Sequence, residues 1–291
     1  MQPDKIDLLV YYLHERERIR LKKEAGEPRP WTKDKILHTF KFTNVLRSND
    51  YTTKWLVQNW YQPNREAPLD IQLINCGIAR YFGHTDFLGV LGFQKDWDPQ
   101  RIKETAARHS AQGRTVFTGA YIITNGGLSG KKWDVVVDNY LSALWKNRQY
   151  IVNVARNTHR WEKATEALNR LPGFGGSGFM AKEVMQDVML TPILFDAVDR
   201  NTWTAVGPGS KRGMNRILGR DAKAALRPEE LLKQIRLLFD EVGPRLESWM
   251  PKWKEEFDLH CIQFALCELD KYLRVTNGEG KMKSSYTPRR R

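Results

Sequence analysis

Residues 171–175 read Leu-Pro-Gly-Phe-Gly, and the stretches on either side carry apolar residues at helical spacing. Pro172 cannot continue a helix, and two glycines allow a tight reversal and a close approach of backbone to another molecule. The chain therefore turns sharply here between two helices. The amides at the start of the second helix point outward, and its dipole adds positive potential. A phosphate can be held there without any side chain. Gly173, Phe174, Gly175, Gly176 and Ser177 are the candidate contacts.

The rest of the pattern is helical as well. Ile6, Leu9 and Leu13 mark a helix over 4–24, with a charged continuation through Arg16, Arg18, Arg20 and Lys22 that reads as solvated. Thr32 is placed to cap the next helix. Further helices are expected from Asp50 or Thr52 through Trp60, over 69–82 and 99–111, from Asp134 to Arg170, from Ser177 to Leu190, from Pro228 to Phe239 and from Phe257 to Arg274. Residues 114–123 are the best strand candidate, with a buried helix as the alternative. The fold class read from this pattern is all-α, with little or no sheet. Residues 1–276 form one helical domain with the helix-hairpin-helix at about 155–190, and 277–291 form a basic flexible tail ending in three arginines.

Charge points to the partner. The 47 Lys and Arg outweigh 34 Asp and Glu, a net charge of +13 that favours a polyanion. Three scattered cysteines make no CxxC, and the six histidines show no metal spacing, so no metal site is expected. No signal peptide or membrane span is legible, and a cytoplasmic, monomeric protein is expected. The stretch Asn125-Gly126-Gly127-Leu128-Ser129-Gly130-Lys131-Lys132 approaches a P-loop. Asn125 stands where its first glycine belongs, and Lys132 stands where its magnesium-binding hydroxyl belongs. It reads as a basic loop facing DNA. Gly207-Pro208-Gly209-Ser210-Lys211-Arg212 reads as a second anion nest.

The hairpin resembles the helix-hairpin-helix of DNA glycosylases, in which a catalytic Asp lies beyond the second helix. Asp196 and Asp199 follow Leu171 by 25 and 28 residues. The resemblance implies that such an Asp stabilises the sugar cation formed as a base leaves. Asp199 is the first candidate, Asp196 the second and Asp187 the third. Lys182 does not match the nucleophile position of strand-nicking relatives, so no lyase activity is expected.

Further blocks occur in order. They are Pro30-Trp31-Thr32 with Asp34, Ile36 and Leu37; Phe42-Thr43-Asn44-Val45 with Arg47 and Asp50; and Gly113 with Val116-Phe117-Thr118-Gly119-Ala120-Tyr121. After the hairpin come Asp187, Asp199, Gly207–Ser210 with Arg212-Gly213, and Leu266-Cys267-Glu268 with Asp270-Lys271-Tyr272 and Arg274. Together they resemble the α-glutamyl/putrescinyl thymine pyrophosphorylase group, a glycosylase-like family of phages and bacteria. Some members build hypermodified thymines, others are described as glycosylases, and the module also occurs fused to a hydroxymethyluracil DNA kinase. The resemblance implies a two-lobed, all-α helix-hairpin-helix glycosylase-like fold, a double-stranded DNA partner with modified pyrimidines, a DNA-binding cleft between the lobes, and a base pocket drawing on Asn44, Arg47, Asp50, Thr118, Tyr121, Glu268, Asp270 and Lys271. The leading expectation is a monofunctional glycosylase that flips and excises a bulky modified pyrimidine. A transferase adding an amino acid or amine to an activated 5-hydroxymethyluracil, and a non-catalytic DNA-binding module, are the alternatives. No cofactor is required beyond an optional monovalent cation at the hairpin.

Overall fold

The computed structural model describes residues 1–176, 178–280 and 285–286. Ser177 and most of the basic stretch expected at 277–291 lie outside the described residues. In chain order the α-helices are α1 (Pro3–Glu24), α2 (Lys35–Thr39), α3 (Tyr51–Leu56), α4 (Leu69–Phe82), α5 (Thr85–Leu91), α6 (Pro99–Ala111), α7 (Lys132–Val135), α8 (Ser142–Thr158), α9 (Trp161–Asn169), α10 (Phe179–Val188), α11 (Pro208–Ile217), α12 (Pro228–Leu246), α13 (Trp253–Glu256) and α14 (Leu259–Thr276). The fold is all-α. Among the described residues the only β pairing is one isolated bridge between Phe40 and Ser285. The chain divides into two compact units, Met1–Asp50 with Arg200–Arg291, and Tyr51–Asp199.

In the first unit, α14 is the central helix. Leu259, Ile262, Leu266, Leu269 and Leu273 recur at spacings of three and four and are all buried. Asp258 starts it, its carboxylate accepting from the Cys261 amide at 3.1 Å. Helix α11 packs on α14 through glycines. A β-carbon placed on Gly213 would lie 2.1 Å from the Leu266 carbonyl oxygen, and one on Gly209 would lie 2.7 Å from the Cys267 sulfur. Helix α1 departs from the expected solvated far end. Glu15, Arg16 and Glu17 are buried. Arg16 donates to the Phe42 and Thr43 carbonyls, and Glu15 accepts from the Thr32 hydroxyl. Thr32 is therefore not the cap of α2. Asp34 is, accepting from the Ile36 and Leu37 amides.

In the second unit, α4 is the central helix, and every residue from Ile71 to Phe82 is buried. Two helices carry a π-helical turn, Val57–Tyr61 after α3 and Val136–Leu141 between α7 and α8. The expected helix from Asp134 to Arg170 is broken at His159, which adopts φ 49. Residues 114–123 form neither strand nor helix. The segment closes the C-terminal end of α4. The Thr118 amide donates to the Phe82 carbonyl, and the Tyr121 hydroxyl donates to the Arg80 carbonyl. These carbonyls end a helix and have no partner within it. The segment satisfies them and leaves Ile122 81% exposed.

Gly213→Ala is expected to destabilise the first unit by at least about 2 kcal/mol, because the backbone of α14 must move. Gly280→Ala, with open space around it, is expected to be neutral. Urea unfolding of both variants measures the difference.

Candidate nucleic-acid interface

The hairpin joins α9 to α10 inside the second unit. The Phe174 amide donates to the Leu171 carbonyl at 3.1 Å, so this amide is used within the turn. The Phe174 ring is fully buried and meets Tyr81 edge-on at 5.3 Å. Phe174 therefore anchors the turn rather than reaching out from it, and the exposed glycine backbone is what remains outside. Gly173 has φ 82, and a β-carbon there would lie 2.3 Å from the Tyr140 ring. Only glycine meets both demands. Gly176, with φ 71, has nothing near it.

The irregular segment and the basic loop are tied to this turn. Tyr121 meets Phe179 at 5.3 Å. Tyr140, whose ring lies under Gly173, donates to the Thr124 carbonyl at 3.2 Å. The exposed Lys131 ends the same loop, and Lys132, also exposed, opens α7. The structure thus connects the hairpin, Tyr121 and the 125–132 loop, and Thr118 sits beside Tyr121 at the end of α4. The other proposed base-pocket residues belong to the first unit.

There, Asn44 donates to the Asn49 carbonyl and lies 3.3 Å from Asp50, closing a local turn. Arg47 lies near enough to the buried Cys261 thiol for its charge to act on it. Glu268 accepts from the Thr43 amide and from Lys271, which also donates to the Lys41 carbonyl at 2.6 Å. These contacts hold residues 41–44 against α14. Asp270 is fully buried and meets Arg212, Arg216 and Arg274. In the expected second anion nest, Ser210 is fully buried, donating to the Gly207 carbonyl and accepting from the Gly207 amide. Its hydroxyl is a helix cap, spent on Gly207, and Gly209 is a packing glycine against Cys267. Lys211 and Arg212 remain half-buried.

The three candidate acids have different surroundings. Asp199 is 1% exposed, its two oxygens accepting from the Trp161 amide at 2.7 Å and the Glu162 amide at 2.9 Å. It closes the start of α9, where a negative charge also suits the helix dipole. Asp187 is fully buried. Arg80 donates to both of its oxygens, and Tyr61 donates at 2.8 Å. Burial opposes the Arg80 charge, but the Asp187 carboxylate outweighs it and holds the guanidinium pKa well above its usual value. Burial and the same carboxylate push Tyr61 and the buried Cys76 thiol up, so both stay protonated. Asp196 is the half-buried one. His159 lies 2.8 Å away and Arg156 3.2 Å. Partial burial raises its pKa, but its own amide, Arg156 and His159 together bring it below the usual value.

A hollow of about 230 Å³ lies beside this segment, lined by Tyr61, Arg65, Leu190, Thr191, Pro192 and Phe195. Phe195 is 62% exposed. Tyr61 connects the hollow to Asp187. Sequence reasoning missed Arg80, Tyr61, Arg156 and His159. The one available signal was Arg80, a charge near the end of an otherwise apolar helix, which needs a buried partner.

Fold and site define an all-helical protein with a glycine hairpin, a linked basic loop and a buried ion-paired acid in the helix that follows. The sequence matches the 5-hmdU DNA kinase helical domain over residues 4–282, and the chain belongs to that family. A 5-hmdU DNA kinase of Bacillus phage SP10 is 24% identical over 293 residues, an alignment covering 91% of this chain and 44% of the phage protein. The chain thus spans less than half the length of that relative. No solved structure matches. Among the described residues no helix is long and apolar enough to cross a membrane.

Asp187→Asn leaves Arg80 buried without its counter-charge and is expected to cost about 3–5 kcal/mol in denaturant unfolding. Asp199→Ala is expected to cost about 1 kcal/mol, the usual worth of a lost cap. A carboxylate with a depressed pKa stabilises above the ordinary Asp range, and that contribution is lost as pH falls through its folded pKa. Protection of the amides in 189–199 from hydrogen exchange is therefore expected to fall on acidification below the ordinary Asp range, and Asp196→Asn is expected to remove that pH dependence.

Proposed function

We propose that this chain is the helical module of a thymine-modifying enzyme, engaging DNA that carries 5-hydroxymethyluracil in activated form and exchanging its 5-substituent. The observation that carries this reading is the family match over residues 4–282. It favours modification over excision, because the named activity of the family's kinase is directed to 5-hmdU in DNA. Phosphorylation itself is not assigned to this chain. Its Gly-Lys stretch is an irregular loop leading into the four-residue α7, without the strand that a P-loop requires.

The exchange balances simply. An amine lone pair forms the new C–N bond at the 5-methylene carbon as the C–O bond to the phosphoryl group breaks. The departing phosphate or diphosphate keeps the electron pair, and the amine proton passes to solvent. The DNA backbone is held by the hairpin glycines and by Lys131 and Lys132, with flipping of the base exposing its 5-position.

A second reading is excision, the glycosylase chemistry implied by the hairpin. Asp196 favours it. Of the three acids it is the one that is not buried, and His159 and Arg156 hold it 25 residues after Leu171. In that reading Asp196 faces the sugar cation, and Asp199 serves as a cap.

Mass spectrometry of nucleosides and free bases decides between them. DNA containing 5-hydroxymethyluracil, its phosphate or its diphosphate is incubated with the protein and a panel of amines. A heavier nucleoside without abasic sites is expected. Release of a free base with matching abasic sites would sink the transferase reading. For the interface, Lys131→Gln with Lys132→Gln is expected to weaken duplex binding and make the dependence of log K on log salt shallower by about 1–2. An unchanged slope would remove this loop from the interface.

A further inference from the structure

Asp270 lies on α14, and its carboxylate is fully buried. Three arginines converge on it from two helices one turn apart in register, Arg212 and Arg216 on α11 and Arg274 on α14. The close glycine contact between these helices lets so short a side chain reach across. Arg216 gives its Nε to one oxygen at 2.9 Å. Arg212 gives its Nε to the other at 2.8 Å, and the Arg274 Nε lies 3.5 Å from that same oxygen.

Attachment through Nε has a consequence. Arg212 and Arg216 bond through Nε and Arg274 turns its Nε to the same carboxylate at 3.5 Å, so the terminal NH₂ pair of each guanidinium points elsewhere, and this pair with its fixed fork suits an oxyanion. Arg216 shows the fork in use. Its two terminal nitrogens take both oxygens of Glu279, one at 3.1 Å and the other at 2.5 Å. This contact, the largest influence on Glu279, draws its carboxyl down to about 2. The forks of Arg212 and Arg274 have no such partner among the described residues. Their side chains are 37% and 41% exposed, so the forks are open to solvent. Arg212 is hydrogen-bonded to one carboxylate oxygen and Arg274 lies in ion-pair range of the same oxygen, which keeps the two guanidiniums neighbours. Three guanidinium charges stand against two carboxylates, so the cluster retains one positive charge.

We infer that Arg212 and Arg274 form an oxyanion site for a phosphate-class ligand, pre-oriented by the buried Asp270. A phosphate group bridging the two forks completes the charge balance, as Glu279 does for Arg216. Asp270 is a positioning residue. Removing its charge leaves the arginines without a tether, whereas a purely structural ion-pair network would leave no capacity for an added anion. The ligand is either a DNA backbone phosphate or a free phosphate or diphosphate. The site does not depend on which reaction the chain performs.

Titration of the full chain with inorganic diphosphate, followed by calorimetry and by NMR of the arginine Nε–H signals, tests this. Saturable binding is expected, with the Arg212 and Arg274 signals shifting. The double variant Arg212→Gln, Arg274→Gln is expected to bind at least tenfold more weakly. Lys233→Gln, an exposed charge removed from α12, is expected to bind as the parent does. Should the double Gln variant unfold, Arg212→Lys with Arg274→Lys keeps charge and stem but loses the forks, and it too is expected to weaken binding. Competition with a short duplex separates the sources: displacement of diphosphate by duplex identifies backbone phosphate, and none identifies a free anion. Absence of saturable binding, or equal loss in Lys233→Gln and the double variant, overturns the assignment.

Discussion

The second unit depends on one buried ion pair. Arg80 comes from α4, Asp187 from α10, and Tyr61 from the π-helical turn after α3. Their charges lie where water does not reach, so each must be met by the other with good geometry. That requirement places α10, the second helix of the hairpin, at a set position along α4. The hairpin turn then falls over Tyr140 and Tyr81, where only glycine fits at 173. The backbone proposed to face a phosphate is thus set by an acid and a base inside the core. The polar network specifies position more than it adds stability, because burying two charges offsets much of their attraction.

The first unit uses a buried carboxylate differently. Asp187 is met by the single guanidinium of Arg80, one charge against one, with the Tyr61 phenol beside it. Asp270 faces three guanidiniums and cannot satisfy them all. Glu279 takes up one excess charge, and the remainder stays at the surface as two oriented forks. The difference is stoichiometric, and it separates a structural ion pair from a group able to receive an anion.

Membership in the 5-hmdU DNA kinase helical-domain family moves the weight from excision to modification, while the hairpin serves either chemistry. A flipped pyrimidine must be held and its surroundings dried whether the bond broken is at the sugar or at the 5-methylene. The acids distinguish the two. Asp199, first choice from its offset, spends both oxygens on the amides that open α9. Asp196 keeps part of its carboxylate in solvent.

Helical content, the hairpin and the basic character were legible in the sequence. Spacing of apolar residues, the Leu-Pro-Gly-Phe-Gly turn and the cation excess are local or summed properties that need no partner. The break at His159 was not legible, since no Gly or Pro marks it. Its left-handed backbone coincides with tertiary contacts, its carbonyl accepting from the Val198 amide and its ring meeting Asp196. The 114–123 segment carried β-branched residues suited to a strand, but the described residues offer it no neighbouring strand, and the open carbonyls of α4 took its donors instead. Likewise Ser210 had the composition of an anion nest, and capping of α11 turned its hydroxyl inward. The sequence by itself determined most of the helical segments, where the hairpin reverses the chain and what sign of charge it presents. Only the tertiary structure decided which acids are capped, paired or exposed and which arginines are left over, because those outcomes depend on distances between residues far apart in the chain.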